Sequence, residues 1–327
     1  METLIIITLI LAFFVTFLMT PHWIKRAKKA GLAGRDINKH EKPLTAESGG
    51  INVVAGFLIS ILFYIGIKTF YFRTSQNLIE IFALLSTVLI ITIIGWTDDI
   101  LGWKIGIKQW QKPLLCMLAA IPLMVINIGN TTMTLPLIGH VDFGLLYPLL
   151  LIPIAISGAS NGFNMIAGYN GLETGMGIII LGTLGAIVYS TGQTWLALVA
   201  FCMVASLFAF LIFNKYPAKV FPGNIMTYSV GALIAGIAII GNVEKFAVIL
   251  FIPYFIELFL KARGVFQKES FAKPNKDNSL EPLYTKNYGL EHVMLRLIKK
   301  IKGKVYEKDI VRSLWLIEFI IALLILI

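Results

Sequence analysis

The chain has 327 residues, of which 57% are hydrophobic and only 14% are charged. Soluble domains average nearer 25% charged residues, so a single soluble core is excluded and a protein with several membrane spans is indicated. The net charge of +10 is typical of membrane proteins with basic cytosolic loops, and we expect no nucleic-acid partner.

Ten apolar segments follow one another along the chain, and we expect each to cross the membrane as a helix. The first is not expected to be a signal peptide, because it lacks a basic start and a small-residue cleavage site. Two short extended pieces, at 131–137 and 140–143, predict a small hairpin. The sequence therefore predicts an all-α polytopic membrane protein in which residues 1–327 form one domain. The approximate bounds of the ten segments are 3–20, 51–67, 78–96, 113–128, 145–157, 176–190, 195–213, 225–240, 246–260 and 314–327.

The distribution of lysine and arginine predicts the orientation of the chain. With both termini outside, all but three of the 28 basic residues lie in cytosolic segments, the exceptions being Lys68, Arg73 and Lys245. Positive charge collects on the cytosolic side of membrane proteins, so this orientation is favoured. It places a basic loop, at about 261–312, in the cytosol.

Two adjacent acids, Asp98 and Asp99, follow the third segment. Neighbouring carboxylates repel each other unless they share a cation or a proton. Lys104, Lys108 and Lys112 follow at four-residue spacing, which would form a basic row on a helix. Acids, lysines and a metal ion together suit phosphoryl transfer, because that reaction needs charge neutralisation and positioning. The alternative is a solvated helix end whose lysines contact lipid head groups.

A polar stretch rich in asparagine and glycine runs from Ser160 to Gly175 between two apolar segments. Asn161 and Asn164 are three residues apart, so a helical turn would place both amides on one face. The Asn170-Gly171 pair predicts a tight turn. Amide oxygens suit a hard cation such as Mg²⁺, and amide N–H groups suit phosphate or the edge of a nucleobase. The alternative is a polar connecting loop.

Four polar motifs, at 47–50, 98–99, 161–175 and 221–224, all fall at span ends on the predicted cytosolic side. They can therefore converge into one site, and acids at a membrane boundary are usually functional. The alternative function is a secondary transporter of an anionic metabolite. A transporter would place polar groups near the middle of the membrane, where this sequence has almost none.

These motifs carry a family resemblance. The chain resembles the polyprenyl-phosphate N-acetylhexosamine-1-phosphate transferases, and most closely the archaeal and eukaryotic dolichyl-phosphate GlcNAc-1-phosphate transferases. The resemblance implies that a sugar-1-phosphate passes from a UDP-sugar to a polyprenyl or dolichyl phosphate, that UMP leaves, and that Mg²⁺ (or Mn²⁺) bridges the diphosphate. The matching pieces are G-R-D-I-N-K-H-E-K-P-L-T-A-E-S-G-G (34–50), G-W-T-D-D-I-L-G-W-K-I-G-I-K (95–108), N-G-F-N-M-I-A-G-Y-N-G-L-E-T-G (161–175) and N-K-Y-P-A-K-V-F-P-G-N (214–224).

The resemblance also implies roles for individual residues. Asp98 and Asp99 would be the catalytic acids, and Asn164 would bind the metal ion. The other residues would bind substrate, namely Lys108 and Asn161 at the diphosphate, Glu47 near the sugar phosphates, and Gly168, Asn170 and Phe221 at the uridine.

The sequence departs from the family's pattern in two places. The turn before the eighth span usually reads Gly-Asp, with the acid on Mg²⁺, whereas this chain has Gly223-Asn224, so we expect Asn224 to be a neutral metal ligand. Relatives read the N-acetylated sugar through a basic or histidine-rich motif after the ninth span, and here Arg263 is the nearest candidate, followed by Lys268.

The basic loop ends in a predicted amphipathic helix. From Glu291 onward, apolar residues alternate with lysine and arginine, as in helices that lie on a membrane surface. The alternative is a solvated basic linker. The sequence leaves open whether the protein forms a homodimer.

Overall fold

The computed structural model describes residues 2–102, 106–135 and 139–327, and it is predominantly helical. The N-terminal part contains helices α1 (Glu2–Lys29), α2 (Gly50–Phe70), α3 (Leu78–Leu101), α4 (Gln111–Leu118) and α5 (Ile121–Val125), with strands β1 (Ala33–Arg35), β2 (Leu44–Ala46), β3 (Thr132–Leu135) and β4 (Gly139–Asp142). The remainder contains α6 (Ile152–Met165), α7 (Leu172–Ser190), α8 (Thr194–Asn214), α9 (Gly223–Gly241), α10 (Glu244–Leu250), α11 (Ile252–Arg263), β5 (Lys273–Pro274), β6 (Leu280–Glu281), α12 (Leu290–Lys302) and α13 (Glu307–Leu326).

Six helices within the described ranges are long and apolar enough to cross a membrane, namely α1, α2, α3, α7, α8 and α9. The protein is therefore a multi-pass membrane protein. The other predicted spans fall on helices that are interrupted or carry more charge. One is divided between α4 and α5, one begins as a π-helical turn at Tyr147–Leu151 before α6, and one is divided at Phe251 between α10 and α11. The last lies on α13, which carries Asp309, Arg312 and Glu318. A count of ten spans stays a prediction.

Helix α9 lies at the centre of the bundle, and every residue from Ile225 to Gly241 is buried. Small residues let its neighbours approach closely, as is usual between membrane helices. A Cβ at Gly231 would lie 2.6 Å from Ser160 Cα on α6, and one at Gly95 on α3 would lie 2.6 Å from the carbonyl oxygen of Asn224. The tight contact at Gly95 places the end of α3 against the start of α9.

The strands form three short antiparallel pairs, β1–β2, β3–β4 and β5–β6. The β3–β4 pair confirms the predicted hairpin, although residues 136–138 lie outside the described residues. The β1–β2 hairpin precedes α2 and is joined to the chain after α8 through a bridge between Ala46 and Val220.

The basic segment at 261–312 is structured. It contains β5, β6 and the predicted amphipathic helix, here α12, which buries Leu290, Leu295 and Ile298 and leaves Ile301 exposed. A solvated linker is therefore wrong for this part of the chain, whereas contact of α12 with a membrane surface stays a prediction.

Candidate active site

The acid pair lies on the last turn of α3, which continues past the predicted end at residue 96 and stops at Gly102, where φ is +83°. The Asp98 side chain is buried, and its Oδ1 accepts a hydrogen bond from the Ile107 backbone N–H at 2.7 Å. Its Oδ2 accepts from Lys112 Nζ at 2.5 Å and from the Asn224 side-chain amide. Asp98 therefore joins α3, α4 and α9 through one carboxylate.

Asp99 accepts hydrogen bonds from the first turn of α9. Its Oδ1 accepts from the Asn224 backbone N–H at 2.8 Å, and its Oδ2 accepts from the Ile225 backbone N–H at 3.3 Å. These N–H groups have no partner inside their own helix, and a negative charge at a helix N-terminus is favoured. Gly223, at φ +70°, allows this approach, because a Cβ there would lie 2.2 Å from Asp99 Oδ2. Asp99 is thus held by two backbone groups, whereas Asp98 is held by one backbone group and two side chains.

The two described lysines near the acids differ in position. Lys112, on the first turn of α4, contacts Asp98, whereas Lys108 is exposed and precedes the helix. The predicted helical row of three lysines is wrong, because α4 begins only at Gln111; Lys104 lies outside the described residues. Lys112 is therefore the described lysine that contacts the acid pair, and a role for Lys108 at the diphosphate stays a prediction.

Two side-chain amides lie on or contact the first turns of α9, the helix that also binds the acid pair. Asn164 lies on α6, and its Oδ1 accepts a hydrogen bond at 2.8 Å from Thr227, one turn after Asn224 on α9. The Asn224 amide nitrogen donates to Asp98, so the amide oxygen is the atom of this side chain that can bind a metal ion. No cluster of three or more His, Cys, Asp and Glu side chains able to hold a metal occurs in the described ranges. Mg²⁺ often takes only one or two oxygens from a protein, so the donors present fit Mg²⁺.

Asn161 lies on the same helix as Asn164, as predicted, but makes local contacts. Its Nδ2 donates to the Ser157 carbonyl oxygen of the preceding turn at 2.9 Å. Ser157 in turn donates to the carbonyl oxygen of Pro113 on α4 at 2.8 Å. A role for Asn161 at the diphosphate stays a prediction.

Gly168 and Asn170 lie in the turn between α6 and α7. The Gly168 N–H donates to Glu173 Oε1 at 2.9 Å, its carbonyl oxygen accepts from Asn38 Nδ2 at 3.2 Å, and its φ is +135°. Asn170 is buried, and its Oδ1 accepts from Lys39 Nζ at 3.1 Å and from the Ala218 backbone N–H at 2.9 Å. The predicted tight turn is confirmed at Gly171, where φ is +84°.

Phe221 lies in the turn at 214–224 between α8 and α9. Its backbone N–H donates to the Ala46 carbonyl oxygen at 2.7 Å, and its own carbonyl oxygen accepts from the Gly49 N–H at 2.9 Å. The ring is half-buried. One turn therefore connects the buried amide of Asn170, through Ala218, with the acid pair, through Asn224.

Glu47 lies between the β1–β2 hairpin and α2, close enough to interact electrostatically with Asp99. Its side chain packs on Gly34, and its carbonyl oxygen accepts a hydrogen bond from Trp23 Nε1 at 2.8 Å. Partial burial raises the pKa of the Glu47 carboxyl group.

The two residues proposed to read the sugar are exposed. Arg263 is the last residue of α11, and Lys268 lies with its Nζ 5.4 Å from the centre of the Tyr284 ring. Neither has a recorded contact with the acid pair or with Asn164, so a role in sugar binding stays a prediction for Arg263.

Sequence reasoning missed three side chains that contact predicted site residues. Thr227 contacts Asn164, Lys39 contacts Asn170, and Glu307, at the start of α13, accepts the Asn170 backbone N–H at 2.6 Å. Lys39 lies within a motif that carries the family resemblance, so the sequence held a signal for it. Glu307 is distant in sequence and carried no signal.

Comparison with known proteins agrees with this geometry. Residues 81–242, which include the acid pair, Asn164 and Asn224, match glycosyl transferase family 4. A protein of Saccharolobus solfataricus is 37% identical over 98% of this chain and 95% of its own length. One of Sulfolobus acidocaldarius is 38% identical over 98% of this chain and 94% of its own.

Both proteins carry the provisional name UDP-N-acetylglucosamine–dolichyl-phosphate N-acetylglucosaminephosphotransferase. A Dictyostelium discoideum protein that bears this name without the qualifier is 27% identical over 77% of this chain and 70% of its own length. Because the first two similarities extend over nearly the whole of both chains and include the residues around Asp98 and Asp99, the chain belongs to glycosyl transferase family 4.

Proposed function

We propose that this protein transfers GlcNAc-1-phosphate from UDP-GlcNAc to a membrane dolichyl or related polyprenyl phosphate and releases UMP. This would be the first membrane step in assembling a glycan, of the N-linked kind. The observation that carries the proposal is the cluster in which Lys112, Asn224 and the N-terminus of α9 converge on Asp98 and Asp99. The names of the relatives support the two substrates.

The reaction is a displacement at phosphorus. An oxygen of the lipid phosphate forms a bond to the β-phosphorus of UDP-GlcNAc while the bond from that phosphorus to the bridging oxygen breaks, and the oxygen leaves with UMP. Such a step depends on neutralising and positioning charge. Lys112 supplies positive charge on α4, and the N-terminus of α9 positions Asp99 through its backbone N–H groups.

The two acids are assigned different tasks. Both oxygens of Asp99 accept backbone N–H groups, so this carboxylate is fixed and orders the turn before α9. The Oδ2 atom of Asp98 is bonded only to side chains, which can exchange it for a ligand. Asp98 is therefore the acid that orients, or takes a proton from, the lipid phosphate.

Mg²⁺, or Mn²⁺ in its place, would be held by oxygens of Asp98, Asn164 and Asn224. When bound, the ion neutralises the charge of the diphosphate. Asn164 and Asn224 are neutral, so this protein supplies less negative charge to the ion than a relative with an acid at 224 would supply.

The active site is assigned to the cytosolic face, with ten spans and both termini outside. The positive-inside rule supports this orientation, and UDP-sugars are cytosolic donors. The pair α4 and α5, helix α6 with the π-helical turn before it, the pair α10 and α11, and the apolar part of α13 complete the ten spans.

The proposal is tested by incubating purified protein with UDP-GlcNAc, dolichyl phosphate and Mg²⁺ and by measuring UMP and the lipid product. We expect UMP release that requires the lipid phosphate and is lost in Asp98→Asn. Release of UMP without lipid phosphate would contradict the assigned acceptor. Uptake of UDP-GlcNAc into proteoliposomes without any lipid product would favour a transporter instead.

A further inference from the structure

Two buried glutamates face each other where α11 meets α12. Glu257 lies on α11 and Glu291 lies in the first turn of α12, and neither side chain is exposed. A Cβ at Gly289 would lie 2.6 Å from Glu291 Oε2 and 3.2 Å from Glu257 Oε1. The two carboxyl groups are therefore directed at the same point, and we call them the glutamate pair.

The glutamate pair has too few hydrogen-bond donors for two negative charges. Glu257 Oε2 accepts the Leu290 backbone N–H at 2.5 Å. Lys261 Nζ lies 3.5 Å from Glu257 Oε1 and donates its hydrogen bond to Ser270 Oγ instead. Within the described ranges, Glu257 Oε1 and both oxygens of Glu291 have no hydrogen-bond partner. A buried carboxylate that accepts no hydrogen bond takes up a proton rather than staying charged.

The residue that follows the pair on α12 supplies no positive charge. His292 accepts the Tyr288 backbone N–H on its Nδ1 at 3.2 Å, and its Nε2 donates to the Phe271 carbonyl oxygen at 3.3 Å. A backbone N–H can only donate and a carbonyl oxygen can only accept, so this imidazole ring is neutral. Burial, followed by the neighbouring Glu257, raises the pKa of the Glu291 carboxyl group well above its usual range. The other titratable or charged groups on the elements packed around the pair are Lys261 on α11, Arg296 on α12, Tyr169 before α7, Glu173 on α7, and Glu307 and Glu318 on α13.

The glutamate pair closes the base of the loop at 264–289. Glu257 precedes this loop and Glu291 follows it, so their contact brings the two ends of the loop together. The loop also packs on the candidate active site, because the Ala272 backbone N–H donates to Asn38 Oδ1 at 3.1 Å and Asn38 Nδ2 donates to the Gly168 carbonyl oxygen at 3.2 Å. A change at the base of the loop would therefore reach the turn between α6 and α7.

We propose that Glu257 and Glu291 share a single proton, and that this proton holds the base of the loop at 264–289 closed. The protonated carboxyl group donates to the charged one, and Lys261 balances the charge that remains. Loss of the proton would direct two negative charges at Gly289 and would separate α12 from α11. The proposal goes beyond the transfer reaction and does not depend on it.

The shared proton makes stability depend on pH in one direction. Because the pKa of Glu291 is higher in the folded chain than in the unfolded chain, folding takes up a proton. Its contribution to stability is complete below the unfolded pKa and is lost as the pH rises through the folded pKa. Glu291→Gln has no proton to lose, and its NH₂ group can donate to Glu257 at every pH. This variant should therefore keep the closed loop under alkaline conditions.

The experiment compares thermal unfolding of the natural protein and of Glu291→Gln in detergent, from about pH 5.5 to pH 8.5. We expect the melting temperature of the natural protein to fall, relative to that of the variant, by about 2–4 °C for each pH unit. Tryptic cleavage at Lys276, which is exposed in the loop, gives a second readout. At the alkaline end, cleavage should be about tenfold faster in the natural protein than in the variant.

Glu281→Gln is the matched control, because it removes the same charge from the same loop at a half-exposed side chain that pairs with Lys299. Its melting temperature should follow that of the natural protein across the pH range. Equal pH dependence in the natural protein and in Glu291→Gln would overturn the proposal. If Mg²⁺ or K⁺ restored the melting temperature of the natural protein at the alkaline end, and not that of the variant, the pair would hold a cation and the proposal would be wrong.

Glu257→Gln tests the same proton from the other carboxyl group. It should also abolish the alkaline fall in melting temperature, and it gives a result even if Glu291→Gln does not fold. An alkaline fall that persists unchanged in Glu257→Gln would contradict the shared proton. None of these measurements uses a substrate, so their failure would be separate from a failure of the proposed transferase activity.

Discussion

The two carboxylates of the acid pair differ in the groups that hold them, so one is fixed and the other can exchange its partners for a ligand. Asp99 is bonded to backbone groups of α9 and Asp98 to the side chains of Lys112 and Asn224. We expect both Asp98→Asn and Asp99→Asn to lower kcat by about a hundredfold or more, because each removes a charge close to the reacting phosphates.

The two variants should differ in stability. Asp99→Asn loses a charged acceptor at a helix N-terminus and should lower the free energy of unfolding by about 1 kcal/mol, whereas Asp98→Asn removes the buried carboxylate and leaves Lys112 without its ion-pair partner. Rates of UMP release and thermal unfolding in detergent measure the two effects. Turnover near that of the natural protein in both variants would contradict the assignment.

The lysines offer a matched pair. Lys112 contacts Asp98, and Lys108 is exposed four residues earlier. We expect Lys112→Met to lower kcat/KM for UDP-GlcNAc by about a hundredfold, since it removes the positive charge that contacts Asp98 in the proposed phosphate site, and Lys108→Met to have a much smaller effect. Equal losses in the two variants would show that Lys108 also reaches the diphosphate.

Asn224 stands where the family resemblance leads us to expect an acid, and its side-chain amide donates a hydrogen bond to Asp98. We expect Asn224→Asp to tighten Mg²⁺ binding to the substrate-free protein, because a carboxylate adds charge to the donor set. Asn224→Ala should raise the Mg²⁺ concentration needed for half-maximal rate by about tenfold. Titrations of activity against Mg²⁺ measure these shifts; an alanine curve that overlaps that of the natural protein would remove Asn224 from the ligands.

At the scale of elements, the start of α9 depends on one glycine. Gly223 has φ +70°, and a Cβ there would lie 2.2 Å from Asp99 Oδ2 and 3.1 Å from Ser48 Cα. Gly223→Ala should therefore displace Asp99, lower turnover by about tenfold or more, and reduce the free energy of unfolding by about 1–2 kcal/mol.

Gly182→Ala on α7 is the control for this substitution, because nothing lies within 4 Å of a Cβ at that position. Alanine is the better helix former, so this variant should keep its activity and its melting temperature. Full activity in Gly223→Ala would show that the turn adjusts and that Asp99 does not depend on it.

Some of these elements could be predicted from the sequence alone, and others could not. Apolar length predicted α1, α2, α3, α7, α8 and α9, and amphipathic spacing predicted α12, because both patterns follow directly from burial. The choice between Lys108 and Lys112 could not be made from spacing, since it depends on where α4 begins after a loop. The cluster of Lys39, Asn170 and Glu307 joins residues far apart in sequence, and only the packing of α13 brings them together.

For the whole molecule, the proposed orientation predicts which loops face the cytosol. Cys116 and Cys202 are buried free thiols, so the natural chain should react little with a membrane-impermeant maleimide. We expect Arg73→Cys, in an exposed loop assigned to the outside, to react in intact cells. Lys276→Cys, exposed in the loop at 261–312, should react only after the membrane is opened. Labelling of Lys276→Cys in intact cells would reverse the orientation and place the site outside.

The turn at 214–224 touches both ends of the proposed donor site. Ala218 is bonded to Asn170, which the family resemblance assigns to the uridine, and Asn224 is bonded to Asp98 and Asp99 at the other end. With the base bound at Asn170, this short segment of backbone would set the distance between the base and the acids. The site would then select donors by the number of phosphates between the uridine and the sugar. A sugar joined to uridine through one phosphate or three would bring the wrong phosphorus to Asp98, even with its base correctly bound.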